Sequence, residues 1–241
     1  RLAAAGGSEE AHVVTDAGSL RLALAQIVNG LLEGVRSNTK TATTFQTFDR
    51  EIAQIQVAAA YTVPALGRWH GHLEFSRFQC NEDRPADVHD FGRILDGDDA
   101  DISAQATRQI LTPMAGALAP LQHSPAGANG LTGGQLGLPD AEAAALVDFV
   151  WDRRNNFYPL REHRLGAIVH SNPQVVGPPY LELPFPAYGG VLPGGREGFR
   201  RRFDGRPTMA YVGADDGMLH GFVLAAPEAL SNRVGHELFA F

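Results

Sequence analysis

Cysteine is almost missing from this chain: Cys80 stands alone in 241 residues. A single thiol leaves no intramolecular disulfide and no multi-cysteine metal centre, and it suits any compartment. Lysine is equally scarce, with Lys40 the only one among 20 basic residues. That arginine bias reflects genome composition more readily than chemistry and assigns no function. Long apolar runs are lacking: none approaches the roughly 18 residues of a membrane-spanning helix, and no signal peptide is visible. The net charge of −7 gives no global basic field for nucleic acid. Two catalytic signatures are absent as well. "GANGLTGGQLG" lacks the G-K-[ST] ending of a phosphate loop, and there is no G-x-S-x-G elbow to expose a nucleophile.

What is present points to a β-rich protein with many turns. Hydrophobic residues make up 44%, enough for a substantial core, and the 27 glycines and 15 prolines favour turns over long helices. The chain starts at Arg1 and stops inside the strand-like "HELFAF", so it is expected to be a piece of a longer protein, cut at both ends. After a linking segment, Asp16 or Ser19 can cap a helix whose apolar stripe is Leu20, Leu24, Ile27, Val28, Leu31 and Val35. "RSNTKTATTFQTF" reads as a linker running into a strand. Ile55–Phe78 reads as two strands around a Pro64–Gly67 corner, with Trp69, Gly71, Leu73 and Phe75 on one face of the second. Residues 79–101 read as a long acidic loop with room for a short helix, "TRQILTP" as a strand, and 115–139 as loop. Pro139 and Asp140 open a helix that places Leu146, Val147, Val150 and Trp151 on one side. "AIVHSNPQVVG" reads as a strand whose Pro173 demands an edge or a bulge. A Pro/Gly-rich excursion over 177–198 follows. "TMAYVG", "MLHGFVLA" and "HELFAF" then form a meander, the unit from which propeller blades are built.

Several constellations invite a functional reading. In "YVGADDGMLHGF", Asp216-Gly217 is a hairpin signal, because glycine accepts positive φ and aspartate bonds the turn backbone. Two adjacent aspartates supply too few oxygens for calcium. Asp96, Asp98, Asp99 and Asp101 alternate as a calcium loop does, but lack the twelve-residue pattern and its terminal glutamate; a solvated acidic loop is the other reading. His70 and His72 share a strand face and could pair on zinc, with no third ligand in view. His170-Ser171 is expected to lie on a strand, which would point the two side chains to opposite faces. Arg200, Arg201, Arg202 and Arg206 form a basic patch that could meet an acidic partner or simply be solvated on the approach to a strand. No spacing gathers an acid, a base and a nucleophile, so no catalytic, cofactor-binding or metal-ligating residue is assigned in the chain.

"RPTMAYVGADDGMLHGF…GHELFAF" resembles the first propeller blade of the type IV pilus tip adhesin and biogenesis family, the PilC/PilY group. "RLGAIVHSNPQVVGPP", "VDFVWDRR", "WHGHLEFSRF" and "TRQILTP" are similar to further segments of that family in the same order, over roughly residues 55–241. Asp215 stands where the family usually has Asn, Ala167 where it usually has Asp, and the insert "AAPEALSNRV" exceeds the common tight turn. The resemblance implies a mainly β fold with a few helices. Residues 41–241 would be the N-terminal portion of a β-propeller, and residues 1–40 the end of an upstream domain, resembling a von Willebrand A-like one, with its linker. It implies a non-enzymatic protein of pilus biogenesis and surface adhesion, extracellular at the pilus tip or outer membrane. Its partners would be minor pilins and host or abiotic surfaces, with no nucleic acid. It also implies calcium as a cofactor of the full-length protein, with the acidic loop that binds it downstream of this chain. Two rivals remain. One is a quinoprotein dehydrogenase, whose repeats share the "DGxLxA" texture; the other is a structural propeller of another surface protein.

Overall fold

The computed structural model describes residues 34–36, 42–48, 51–64, 68–79, 87–99, 102, 108–114, 116–127, 129–179 and 181–241. Two antiparallel sheets make the body. The first contains β1 (Gly34–Arg36), β2 (Ala42–Phe48), β3 (Glu51–Val63), β4 (His70–Gln79) and β5 (Asp87–Asp90). The long β3 pairs with β1 near its end, with β2 along its first half and with β4 on its other side. Burial alternates along β3 and β4: Ile55, Val57, Ala59, Leu73 and Phe75 point inward, as the period of a strand requires. The two strands expected on either side of Pro64–Gly67 are thus present. The expected helix stripe lies outside the described residues as far as Leu31, and Val35 stands in strand β1.

The second sheet runs in the order β13-β12-β11-β8, made of β8 (Gln174–Val176), β11 (Thr208–Gly213), β12 (Leu219–Ala225) and β13 (Glu237–Ala240). This is the expected meander with one more strand. Pro173 sits immediately before β8, an edge strand, where its missing N–H costs no ladder bond. The strand expected over "AIVHSNPQVVG" is therefore confined to 174–176. Every residue from His220 to Ala225 is buried, because β12 is central and covered on both faces.

Between the sheets lies helix α1 (Phe91–Asp96), capped by Asp90 and ended by Gly97 in the left-handed region. Phe75, Phe91 and Phe222 stack in line, with ring centroids 4.7 and 4.4 Å apart, so one core spans both sheets and the helix. The acidic loop expected before Asp101 thus contains β5 and α1. Residues 115–139 are more ordered than expected. They hold the second half of the hairpin β6 (Leu111–Met114)–β7 (Ala117–Pro120), and the one-turn helix α2 (Gly133–Leu136) with a Thr132/Gln135 capping box. Helix α3 (Asp140–Val150) forms as expected, but its most buried side chains are Ala143, Ala145 and Val147; Leu146, Val150 and Trp151 are half-buried. In the excursion after Gly177 come α4 (Pro186–Gly189), the hairpin β9 (Val191–Leu192)–β10 (Arg196–Glu197) and α5 (Phe199–Phe203). Arg200, Arg201 and Arg202 stand in α5, a short helix on the approach to β11, with Arg201 and Arg202 exposed.

Candidate functional site

The β11–β12 hairpin ends in the turn Ala214–Met218. The Ala214 N–H donates to the Met218 carbonyl (3.1 Å) and the Gly217 N–H to the Ala214 carbonyl (3.1 Å). Gly217 has φ 81, which glycine adopts without a steric penalty. Asp216 Oδ1 accepts the Met218 N–H at 3.2 Å, the expected aspartate turn bond. The tip also packs on two distant segments through glycines. The Gly71 N–H donates to the Leu165 carbonyl (3.0 Å) and the Asp215 N–H to the Ala167 carbonyl (3.0 Å). A Cβ on Gly92 would stand 2.6 Å from the Gly71 carbonyl oxygen, and one on Gly166 would stand 2.7 Å from the Asp216 nitrogen. One on Gly71 would run into the Gly166 carbonyl. Helix α1, strand β4, the 165–167 segment and the hairpin tip are therefore stacked backbone on backbone.

Asp216 has a second role that its turn geometry did not announce. Its Oδ2 accepts from Arg161 Nη2 at 3.2 Å and from the Gly166 N–H at 3.3 Å. Its Oδ1 lies 3.1 Å from His220 Nε2. The other ring nitrogen, Nδ1, meets Glu237 Oε1 at 2.7 Å. Arg108 closes the row with a bidentate grip on Glu237, Nε to Oε2 at 2.7 Å and Nη2 to Oε1 at 3.0 Å. None of these five side chains is more than 9% exposed. A carboxylate against each ring nitrogen favours the imidazolium, the form of His220 that donates from both. In that form it has no lone pair with which to act as a base. The row Arg161–Asp216–His220–Glu237–Arg108 is a buried chain of alternating charge that ties the hairpin, β13 and two loops together.

The titration of these groups follows from their neighbours. Burial disfavours the His220 cation, but the hydrogen bonds and charges of Asp216 and Glu237 outweigh it and raise its pKa above 6.5. Burial likewise opposes ionisation of Asp216, yet His220 and Arg161 hold it down to about 2, from an ordinary 3.8. Glu237 is lowered from 4.5 for the same reason, with His220 and Arg108 overcoming its burial. The signs set a stability plateau. A raised histidine stabilises fully below pH 6.5, and that contribution is lost as pH rises through the folded value. The depressed acids stabilise fully above 4.5, and their contribution is lost as pH falls toward 2. For Asp216 alone the acid-side loss is about 2 kcal/mol, at roughly 1.4 kcal/mol per pKa unit. Urea unfolding across the pH range should therefore show greatest stability in mildly acidic solution, with a decline on both sides. A stability that keeps rising into alkaline pH would contradict it.

His72 spends both ring nitrogens, Nδ1 on Asp90 Oδ2 (2.6 Å) and Nε2 on Thr62 Oγ1 (2.8 Å). His70 stacks on His163 at 3.7 Å, and its pKa is lowered by burial and by the neighbouring His163 and His72. Asp96 receives the Arg164 N–H and His163 Nδ1, both at 2.8 Å. Asp99 Oδ1 accepts the Ile102 N–H at 2.9 Å, Asp98 is exposed, and Asp101 lies outside the described residues. Among the described residues no cluster of three His, Cys, Asp or Glu side chains is placed to hold a metal ion. The implied calcium does not fit Asp216 or Asp96, whose oxygens face arginine, histidine or backbone N–H donors. His170 and Ser171 lie in a bend and the loop before β8, not on a strand, and Ser171 Oγ accepts the Gly213 N–H at 2.9 Å. Beside the hairpin tip opens a cavity of about 690 Å³ lined by Trp69, His70, Phe149, Arg161, Asp215 and Asp216 among others. Burial raises the pKa of Asp215 there.

Comparison with known proteins finds one stretch of likeness. Over 108 residues the chain is 39% identical to the type IV pilus biogenesis factor PilY1 of Pseudomonas aeruginosa (strain UCBPP-PA14). The match covers 42% of this chain and 8% of that protein, so the chain spans under a tenth of this relative's length. No protein-family model matches the chain, and no solved structure does.

Proposed function

We propose that this chain is part of a type IV pilus biogenesis protein and acts by binding, not by catalysis. The observation that carries the reading is the 39% identity to PilY1, which supports a role in pilus biogenesis. The geometry is compatible with it: "WHGHLEF", "RLGAIVHSNP" and "VGADDGMLHGF", on which the family resemblance rests, meet at the stacked glycines. In this reading the four-stranded sheet β13-β12-β11-β8 is a propeller blade within a domain over 41–241, and 1–40 ends an upstream domain. The scaffold serves adhesion at the cell surface, with minor pilins as partners and calcium held elsewhere in the full protein. The chemistry of the site favours a non-enzymatic role, since His220, the fully buried histidine of the hairpin, has both nitrogens committed to carboxylates.

Deleting the gene should abolish surface pili and twitching, and restoring it should return both. Restoring it with Gly71→Val should fail, because the added side chain meets backbone and cannot be relieved by a rotamer change. Normal piliation in the deletion strain would overturn the assignment.

A further inference from the structure

None of the described residues between Gly177 and Arg206 belongs to the hydrophobic core, yet this excursion is rich in large apolar side chains. Leu181, Leu183, Phe185, Val191 and Phe199 are 50%, 41%, 63%, 54% and 45% exposed. Large exposed apolar side chains gathered in one short segment point to an interaction site. The segment is nevertheless built. Tyr188 stacks on Phe199 (5.8 Å) and Phe199 on Phe203 (4.9 Å), the Gly198 N–H donates to the Gly190 carbonyl (2.9 Å), and the Arg206 guanidinium grips the Gly177 carbonyl at its base.

Two further features say what covers it. The first is charge. Residues 181–206 carry five arginines against Glu182, Glu197 and Asp204, a basic patch on a chain of net charge −7. Arg200 is tied to Glu182 at 3.1 Å, whereas Arg201 and Arg202 are exposed on α5. The second is proline. In "LELPFP" every residue is exposed, and Pro184 and Pro186 have no N–H to give. Both prolines face the same edge of the segment, so on that edge it cannot pair with a partner's strand. The same missing donors lower the cost of placing its backbone at a lipid interface.

From this combination we propose that the 177–206 excursion is a peripheral docking surface for an anionic lipid bilayer. Leu181, Leu183 and Phe185 insert at the headgroup boundary, and Arg201 and Arg202 meet the lipid phosphates. Nothing in this requires a membrane-spanning helix. It is independent of the pilus reading, because it concerns surface chemistry alone.

The test is co-sedimentation of the chain with vesicles of phosphatidylcholine, with and without about a third phosphatidylglycerol. Binding should need the anionic lipid and fall several-fold on raising salt from about 0.05 to 0.5 M. L183S/F185S and R201E/R202E should each weaken it about tenfold, while circular dichroism stays unchanged because these side chains are exposed. Equal binding to pure phosphatidylcholine, no binding to either vesicle, or full binding by both variants would overturn the proposal. Tight binding to soluble polyglutamate with no binding to the anionic vesicles would make the surface a site for an acidic protein.

Discussion

Gly166→Ala should lower the unfolding free energy by about 3 kcal/mol or more, a large part of a small domain's total stability. The reason is the identity of what the new methyl group would meet. It would lie 2.7 Å from the Asp216 backbone nitrogen and 3.0 Å from the Asp216 Cβ, with the Asp215 carboxylate closer still. A flexible side-chain end could swing aside, but the hairpin tip is held by its own turn bonds and by the Asp215 N–H to Ala167 carbonyl bond. Relief therefore means separating the hairpin from the 165–167 segment. Gly217→Ala is the matched control. Nothing lies within 4 Å of its Cβ position, so its cost comes only from φ 81 and should be about 1 kcal/mol. Chemical denaturation of the two variants separates packing from backbone strain. Equal losses would show that the glycine stack is not a tight contact.

Glu237→Gln should cost about 3–5 kcal/mol, the range for breaking a buried ion pair by removing one partner. Glu237 is fully buried and holds two cations, Arg108 and His220. The neutral amide keeps the shape but leaves the Arg108 guanidinium uncompensated out of water. His220 keeps Asp216 as its remaining anion, so its pKa falls from its raised value and the alkaline decline in stability moves to lower pH. Adding Arg108→Met should recover part of the loss, because it removes the stranded charge; the two substitutions are therefore non-additive. Arg200→Ala at the exposed Arg200–Glu182 pair should change stability by less than about 1 kcal/mol. Additivity of the Glu237 and Arg108 substitutions would mean that the row of charges does not act as a unit.

Much of the fold was legible because its signals are local. The alternation of Ile55, Val57 and Ala59 and of Gly71, Leu73 and Phe75 is the period of a strand, and the two strands pair as read. Asp216-Gly217 announced the hairpin, and Pro173 announced the edge. The misreadings have physical causes. Gly- and Pro-rich composition over 115–139 and 177–198 suggested plain loop, yet short hairpins and one-turn helices are built from those residues once turns are satisfied locally. The site was the least legible part. Arg108, Arg161, Asp216, His220 and Glu237 lie up to 129 residues apart along the chain, and no periodicity links them. Only His220 gave a signal: four residues beyond Asp216, it opens the run of buried residues along β12, where a histidine must find partners. The Arg/Phe excursion was read by its arginines alone, because the exposure of Leu183 and Phe185 is a property of the folded surface.

Distant segments close around the hairpin tip as one cooperative unit. Native-state hydrogen exchange measures it residue by residue. The Gly71, Asp215 and Ala240 amides bond to Leu165, Ala167 and Gln109 carbonyls, so each reports a different junction. All three should exchange with the same, global free energy, and Glu237→Gln should lower them together. Three separate opening energies, or a loss confined to Ala240, would contradict it.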